Sequence, residues 1–250
     1  MKSKYQILQL LLLFLFVAIA RSQQRPYSDN ELLLYKVKFG LFHAAFIEMS
    51  VKESEDSYNF IGKGWSTKVL DRFFKIVDRY ESNVSKATNY PYHFIRRVRE
   101  GGFELSRDLY FDTEAEQIKV VDHILSKITH HEHASIDDVV SSFYKLREHM
   151  NTDLSIGDVI CLDVYLDFKV STLKLILVSK EDLKTSFGKI AALKFNSYFS
   201  SEGVETFKNP VPIWYSDDIN KLPLKLLAKF PFGSIKLELS SAAHINNIYN

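Results

Sequence analysis

Cysteine occurs once in these 250 residues, at Cys161, so no internal disulfide can form, and burial and hydrogen bonding must hold the fold. Proline and glycine are scarce, at six and nine residues, which excludes a collagen-like or linker-rich chain and leaves no composition break where a second domain would begin. Charge of one sign is also lacking. Without Lys2, Lys4 and Arg21, the 29 remaining basic residues face 31 acidic ones, a formal charge of −2. That balance makes no electrostatic case for nucleic acid or for an anionic membrane surface.

A long apolar run is present only at the start. Lys2 and Lys4 precede ILQLLLLFLFVAIA, which ends in Ala18-Ile19-Ala20, with a second cut point after Ser22. This is the plan of a secretory signal peptide, and the run falls short of the roughly 20 apolar residues a spanning helix needs. The expectation is a leader at 1–22, a single domain at 23–250, and no membrane span after cleavage. Cys161 stands in the apolar run VICLDVYL and is expected to be a small buried hydrophobe rather than a nucleophile, since nothing local would lower its pKa.

What the chain has in abundance is alternation. In LLYKVKF, Tyr35, Val37 and Phe39 alternate with Lys36 and Lys38. Gly40 interrupts, and Ala45, Ile47, Met49 and Val51 resume the period of two, which predicts a hairpin. Gly101-Gly102 between YHFIRRV and FELSRDLYF predicts another. Residues 66–80 fit a short turn of helix passing into a strand. IKVV, DVICLDVYL, FKVSTLKLILV, GKIAALKF, VPIWYS, LKLLAKF and SIKLEL read as further strands. The fold class expected is mainly β (α+β): one large curved antiparallel sheet, half-barrel-like, because so many strands curl rather than lie flat.

One helix is expected over 135–149. Ser135 with Asp138 three residues on resembles a capping box, and Ile136, Val139, Val140, Phe143 and Leu146 form one apolar stripe. That stripe should cross the concave side of the sheet, and Phe143 is the residue expected to line any ligand cavity there.

FFKIVDRYES (73–82), PYHFIRRVREGG (91–102), TSFGKIAALKF (185–195), IWYSDDINKLPLKL (213–226) and FGSIKLEL (232–239) together resemble the bacterial domain-of-unknown-function family 3108. The resemblance runs over nearly the whole chain after the leader and is most specific in the W-x-S-D-D-x-x-x-x-P block. It implies an exported protein of the cell envelope, in or near the periplasm, with a curved sheet similar to the lipoprotein-carrier (LolA-like) half-barrel. It implies no activity.

Candidate chemistry is thin. Ser216, Asp217 and Asp218, between Trp214 and Pro223, join two strand-like segments and read as a structural turn with Trp214 packed beneath it; adjacent Asp side chains on an extended loop point apart. His130, His131 and His133 with Glu132 lack the spacing of a defined metal site and read as an exposed loop. Phe187-Gly188-Lys189 is not a phosphate loop, and no G-x-S-x-G occurs. No catalytic residue, cofactor or metal is assigned. Three function classes stay open: a non-catalytic envelope protein holding a lipid or other apolar ligand, a module binding another envelope protein, and a carboxylate-dependent hydrolase. Nineteen Phe and 13 Tyr serve a cavity or a solid core equally well.

Overall fold

A computed structural model describes residues 25–133, 135–150, 153–201, 204–205, 209–231 and 233–246; the expected leader at 1–22 lies outside them. The alternating segments form strands β1 (Leu32–Phe39), β2 (Phe42–Glu53), β3 (Ser57–Ser66), β4 (Val77–Ser85), β5 (Pro91–Glu100), β6 (Phe103–Asp112), β7 (Gln117–Asp122) and β8 (Lys127–Glu132). After a helix come β9 (Val159–Leu166), β10 (Lys169–Thr185), β11 (Gly188–Ser201), the two-residue β12 (Val204–Glu205), β13 (Val211–Ser216), β14 (Pro223–Phe230) and β15 (Gly233–Ala243). The two glycine hairpins are present: Gly40 and Gly101 take φ of +57° and +60°, values that a side chain would resist. Residues 70–72 form a single 3₁₀ turn before β4.

All these strands join one antiparallel sheet in the order β8-β7-β6-β5-β4-β3-β2-β1-β15-β14-β13-β11-β10-β9, with β12 a side pair of β11. The first strand therefore lies beside the last at mid-sheet, and β8 and β9 are the free edges. Register shifts interrupt five of the ladders, for example between Leu34 and Tyr35 and between Leu177 and Ser179. Such irregularities sharpen the local twist, so a sheet this wide curls on itself. The curl brings the β9–β10 turn across to the far half of the sheet. Asp167 pairs with Arg96 at 2.6 Å, Arg107 lies 4.4 Å over the Phe168 ring, and His131 lies 5.4 Å from that ring. Asp167 and Phe168 both have positive φ, as a two-residue I′ hairpin demands. Phe is a poor residue for that backbone; its ring contacts across the seam hold it there.

The helix, α1 (Val139–His149), carries the chain between the two free edges and packs on the concave side of the sheet. It begins at Val139, not Ser135. Ile136 and Asp137 are held extended by a parallel bridge from Asp137 to Val164, so helical geometry cannot start sooner. Asp138 is the cap: its Oδ1 accepts from the amides of Val140 and Ser141 at 2.8 and 2.9 Å, and the Ser141 hydroxyl accepts from the Asp138 amide. Two other expectations are corrected. The histidine tract is not a loop, because His130 and His131 lie in edge strand β8. Cys161 is exposed, since in β9 the inward positions are Ile160, Leu162 and Val164, and the period of two turns Cys161 to solvent.

The helix buries Val140, Tyr144, Leu146 and Arg147, and Tyr144 stacks on Phe60 at 4.1 Å between ring centres. Arg147 is wholly enclosed. Its two terminal nitrogens meet the Glu31 carboxylate at 2.6 and 2.9 Å, Nε and Nη2 donate to the Asn220 carbonyl, and Nη2 also donates to the Pro26 carbonyl. Arg147→Met is expected to cost about 3–5 kcal/mol by urea unfolding, because Glu31 would be left charged and enclosed. Adding Glu31→Gln should restore much of that loss; a double variant no more stable than the single one would contradict the pairing.

Candidate functional site

The inner face of β1 to β4 carries Tyr35 and Val37, then Ala45, Ile47 and Met49, then Gly62 and Gly64, then Asp78 and Tyr80. In register, Met49 and Tyr80 flank Gly62, while Ile47 and Asp78 flank Gly64. Two glycines at alternate positions on one face of a strand interior remove two side chains where a core would have them. The helix does not fill the gap. A cavity of about 580 Å³ remains, floored by Gly62 and Gly64 and bounded by Val139, Val140 and Phe143 of α1. Phe143, half-buried and edge-on to Tyr144, is thus a wall of this cavity.

One end of the cavity is polar. Asp78, Arg96 and Glu100 border it, along with Tyr80. Burial, with Glu100 beside it, holds the Asp78 carboxyl up at about 6, against the lowering effect of the Arg99 amide, 3.2 Å from Oδ1, and of the Arg96 charge. Arg96 gives Nη1 to Asp167, but its buried Nε makes no hydrogen bond to the described residues. The arrangement is an apolar chamber with titratable and hydrogen-bonding groups at one end, suited to a molecule with an apolar body and a polar head.

The other residues singled out from the sequence lie elsewhere. Ser216 Oγ donates to Asp218 Oδ1 and accepts from the Leu222 amide; Asp218 Oδ1 also accepts from the Asn220 and Lys221 amides, and Asp217 pairs with Lys221. This turn runs from β13 to Pro223, the first residue of β14, and sets the Asn220 carbonyl against Arg147. Ser216, Asp217 and Asp218 also border a second cavity, of about 480 Å³. Trp214 is buried in the apolar cluster that includes Leu222 and Leu224, its Nε1 donates to Glu181 at 2.8 Å, and its ring lies between Lys194 and Lys225. His131 packs against Tyr165 and Phe168, and no group of three or more His, Cys, Asp or Glu residues able to hold a metal occurs among the described residues.

Sequence reasoning missed Gly62, Gly64, Asp78, Arg96 and Glu100. A signal for the glycines was available, because I-G-K-G-W places both on one strand face. Arg147 was visible too, since Val140, Tyr144 and Arg147 recur at helical spacing.

The family model described as "Protein of unknown function (DUF3108)" matches residues 34–240. Among solved structures, the chain is similar to a β-barrel-like protein of the domain of unknown function DUF1849 from Brucella abortus, with a TM-score of 0.58 and 10% identity over 90% of this chain and 99% of that one. A protein with a YmcC-like fold from Bacteroides fragilis gives a TM-score of 0.35 and 9% identity over 88% and 98%. No curated protein matches. The first likeness shows the fold: an open sheet curled toward a barrel.

Two outcomes follow from this geometry. Asp78 holds its proton to a higher pH folded than unfolded, so its contribution to stability is fully present below the ordinary carboxyl value of 3.8 and is lost as pH rises through about 6. Asp78→Asn should therefore raise the melting temperature at pH 7.5 relative to wild type, by the equivalent of less than about 1 kcal/mol given its partial exposure, and should do less at pH 4. Asp218→Ala should cost about 1 kcal/mol, and Asp217→Ala under about 0.5 kcal/mol, since Asp218 accepts two backbone amides while Asp217, itself exposed, meets one lysine. Equal losses by chemical denaturation would contradict that division.

Proposed function

This chain belongs to the DUF3108 family, and from that premise and the cavity we propose that it is an exported, non-catalytic envelope protein that holds one hydrophobic or amphiphilic molecule between the sheet and α1. The observation that carries the reading is the glycine-floored chamber of about 580 Å³, a volume within the roughly 300–1,000 Å³ range of small-molecule sites. Its walls are mainly apolar, which favours an acyl chain or similar body. Arg96 and the Asp78–Glu100 pair at one end favour a polar head over a plain hydrocarbon. The apolar, lysine-led amino terminus supports export, and among the described residues no helix is long and apolar enough to cross a membrane.

A second reading has one specific observation behind it. Asp78 and Glu100 converge at a cleft with the Asp78 pKa raised, as a carboxylate-dependent hydrolase would require. Retained ligand binding with no turnover of ester or glycoside substrates, before and after Asp78→Asn and Glu100→Gln, would set it aside.

The binding reading is tested by filling the chamber. A Cβ at Gly64 would meet only Asp78, at ordinary contact distances of 3.6 and 3.8 Å, so Gly64→Leu should fold and place its side chain in the cavity. Phe143→Trp is expected to give fluorescence that shifts on adding a long-chain fatty acid, and Gly64→Leu in that background should abolish the shift. Indole emission from the Phe143→Trp variant that is indifferent to fatty acids, lysophospholipids and phospholipids alike would overturn the proposal.

A further inference from the structure

Antiparallel order places the turns of β1–β2, β3–β4, β5–β6 and β7–β8 at one end of the sheet, and those of β2–β3, β4–β5 and β6–β7 at the other. The two sets of turns differ in chemistry. The second set reads Ser-Glu-Asp, Lys-Ala-Thr-Asn-Tyr and Thr-Glu-Ala-Glu and displays no large exposed apolar side chain. The first displays Leu41 at 97% exposure, Phe42 at 78%, Val69 at 73% and Phe73 at 85%, with Leu125 further along the same end.

These tips are held in place. The Thr67 amide donates to the Ala44 carbonyl and its hydroxyl to the His43 carbonyl, which ties the β3–β4 loop to the start of β2. The Gly101 amide donates to the Lys75 carbonyl, and the Phe74 ring lies so close to Gly101 that a Cβ there would come within 2.7 Å of it. The loops thus form a joined rim whose side chains face water, at a cost that burial elsewhere would recover. Between the apolar tips stand exposed Lys68, Arg72 and Lys75, opposed within the loop only by Asp71, whose carboxylate is engaged by the Ser66 hydroxyl. The cavity reaches this same end, where Trp65, Ile76 and Glu100 border it.

We propose that this rim docks on an anionic lipid surface, with Leu41, Phe42, Val69 and Phe73 entering the headgroup and upper acyl region and Lys68, Arg72 and Lys75 facing lipid phosphates. Protruding aliphatic and phenylalanine tips interleaved with cations are what such an interface accepts. The chain's near-neutral total charge hides this local excess. The inference goes beyond the cavity reading and stands without it.

The test is sedimentation of the purified full chain with vesicles of phosphatidylcholine, with and without phosphatidylglycerol. Wild type should partition to the mixed vesicles, less so as salt rises. Leu41→Ser, Phe42→Ser and Phe73→Ser together should lower partitioning by roughly tenfold or more. Phe187→Ser, exposed in the β10–β11 turn at the other end, should change nothing. Lys68→Ala with Arg72→Ala should remove the preference for phosphatidylglycerol. Circular dichroism checks that each variant is folded, and the fatty-acid response of the Phe143→Trp variant in solution separates failure of the cavity reading from failure of this one. Wild type that binds neither vesicle, a triple serine variant that binds as well as wild type, or a dimer that the triple variant dissolves would overturn the proposal, the last by making the rim a contact between copies.

Discussion

The Arg147 guanidinium has given up all contact with water, and the rest of the structure is arranged to compensate it. Its partners come from two stretches of the chain remote from it in sequence: Pro26 and Glu31 before and at the threshold of β1, and Asn220 in the turn after β13. An enclosed ion pair adds little net stability over a well-packed apolar alternative, because desolvation offsets the attraction. What it does is exclude other arrangements. A helix that slid or rotated would leave a buried charge unsatisfied, so α1 has one permitted seat on the sheet. The Ser216-Asp217-Asp218 turn belongs to this device: its own hydrogen bonds shape the loop that presents the Asn220 carbonyl.

Fixing the helix also fixes the cavity. The chamber is the space left when a helix held by Arg147 and by the Tyr144–Phe60 stack spans a sheet with two glycines beneath it. Had the helix been held only by its apolar stripe, collapse onto Gly62 and Gly64 would be the lower-energy arrangement, since an unfilled apolar space forfeits contact energy. The same logic applies at the seam. The edges β8 and β9 do not pair with each other, so the sheet stays open, and Asp167, Phe168 and His131 hold its curl by side-chain contact instead of a backbone ladder.

Much of the architecture was legible because strand formation is local. Tyr35, Val37, Ala45 and Ile47 announce their face by alternation alone, and Gly40 and Gly101 announce their turns by the backbone angles they permit. The helix was legible in existence but not in its start, because the bridge from Asp137 to Val164 is a tertiary contact that delays it. Cys161 was misjudged for a related reason: an apolar run says that a strand is present, and only its neighbours decide which alternate residues face inward.

The sequence by itself determined a chain that cannot form an internal disulfide, a nearly all-strand antiparallel body, one amphipathic helix and a turn at Ser216-Asp217-Asp218, since each of these follows from composition or from contacts within a few residues. Tertiary structure alone decided that Glu31 meets Arg147 across 116 positions, that Asp78 and Glu100 share a cleft with Arg96, and that the β1–β2, β3–β4 and β7–β8 turns carry their apolar tips to one end. The physical reason is the curl of the sheet. It sets which distant side chains converge, and that depends on strand order and register shifts accumulated over the fifteen strands of the described residues, which no local window of residues contains.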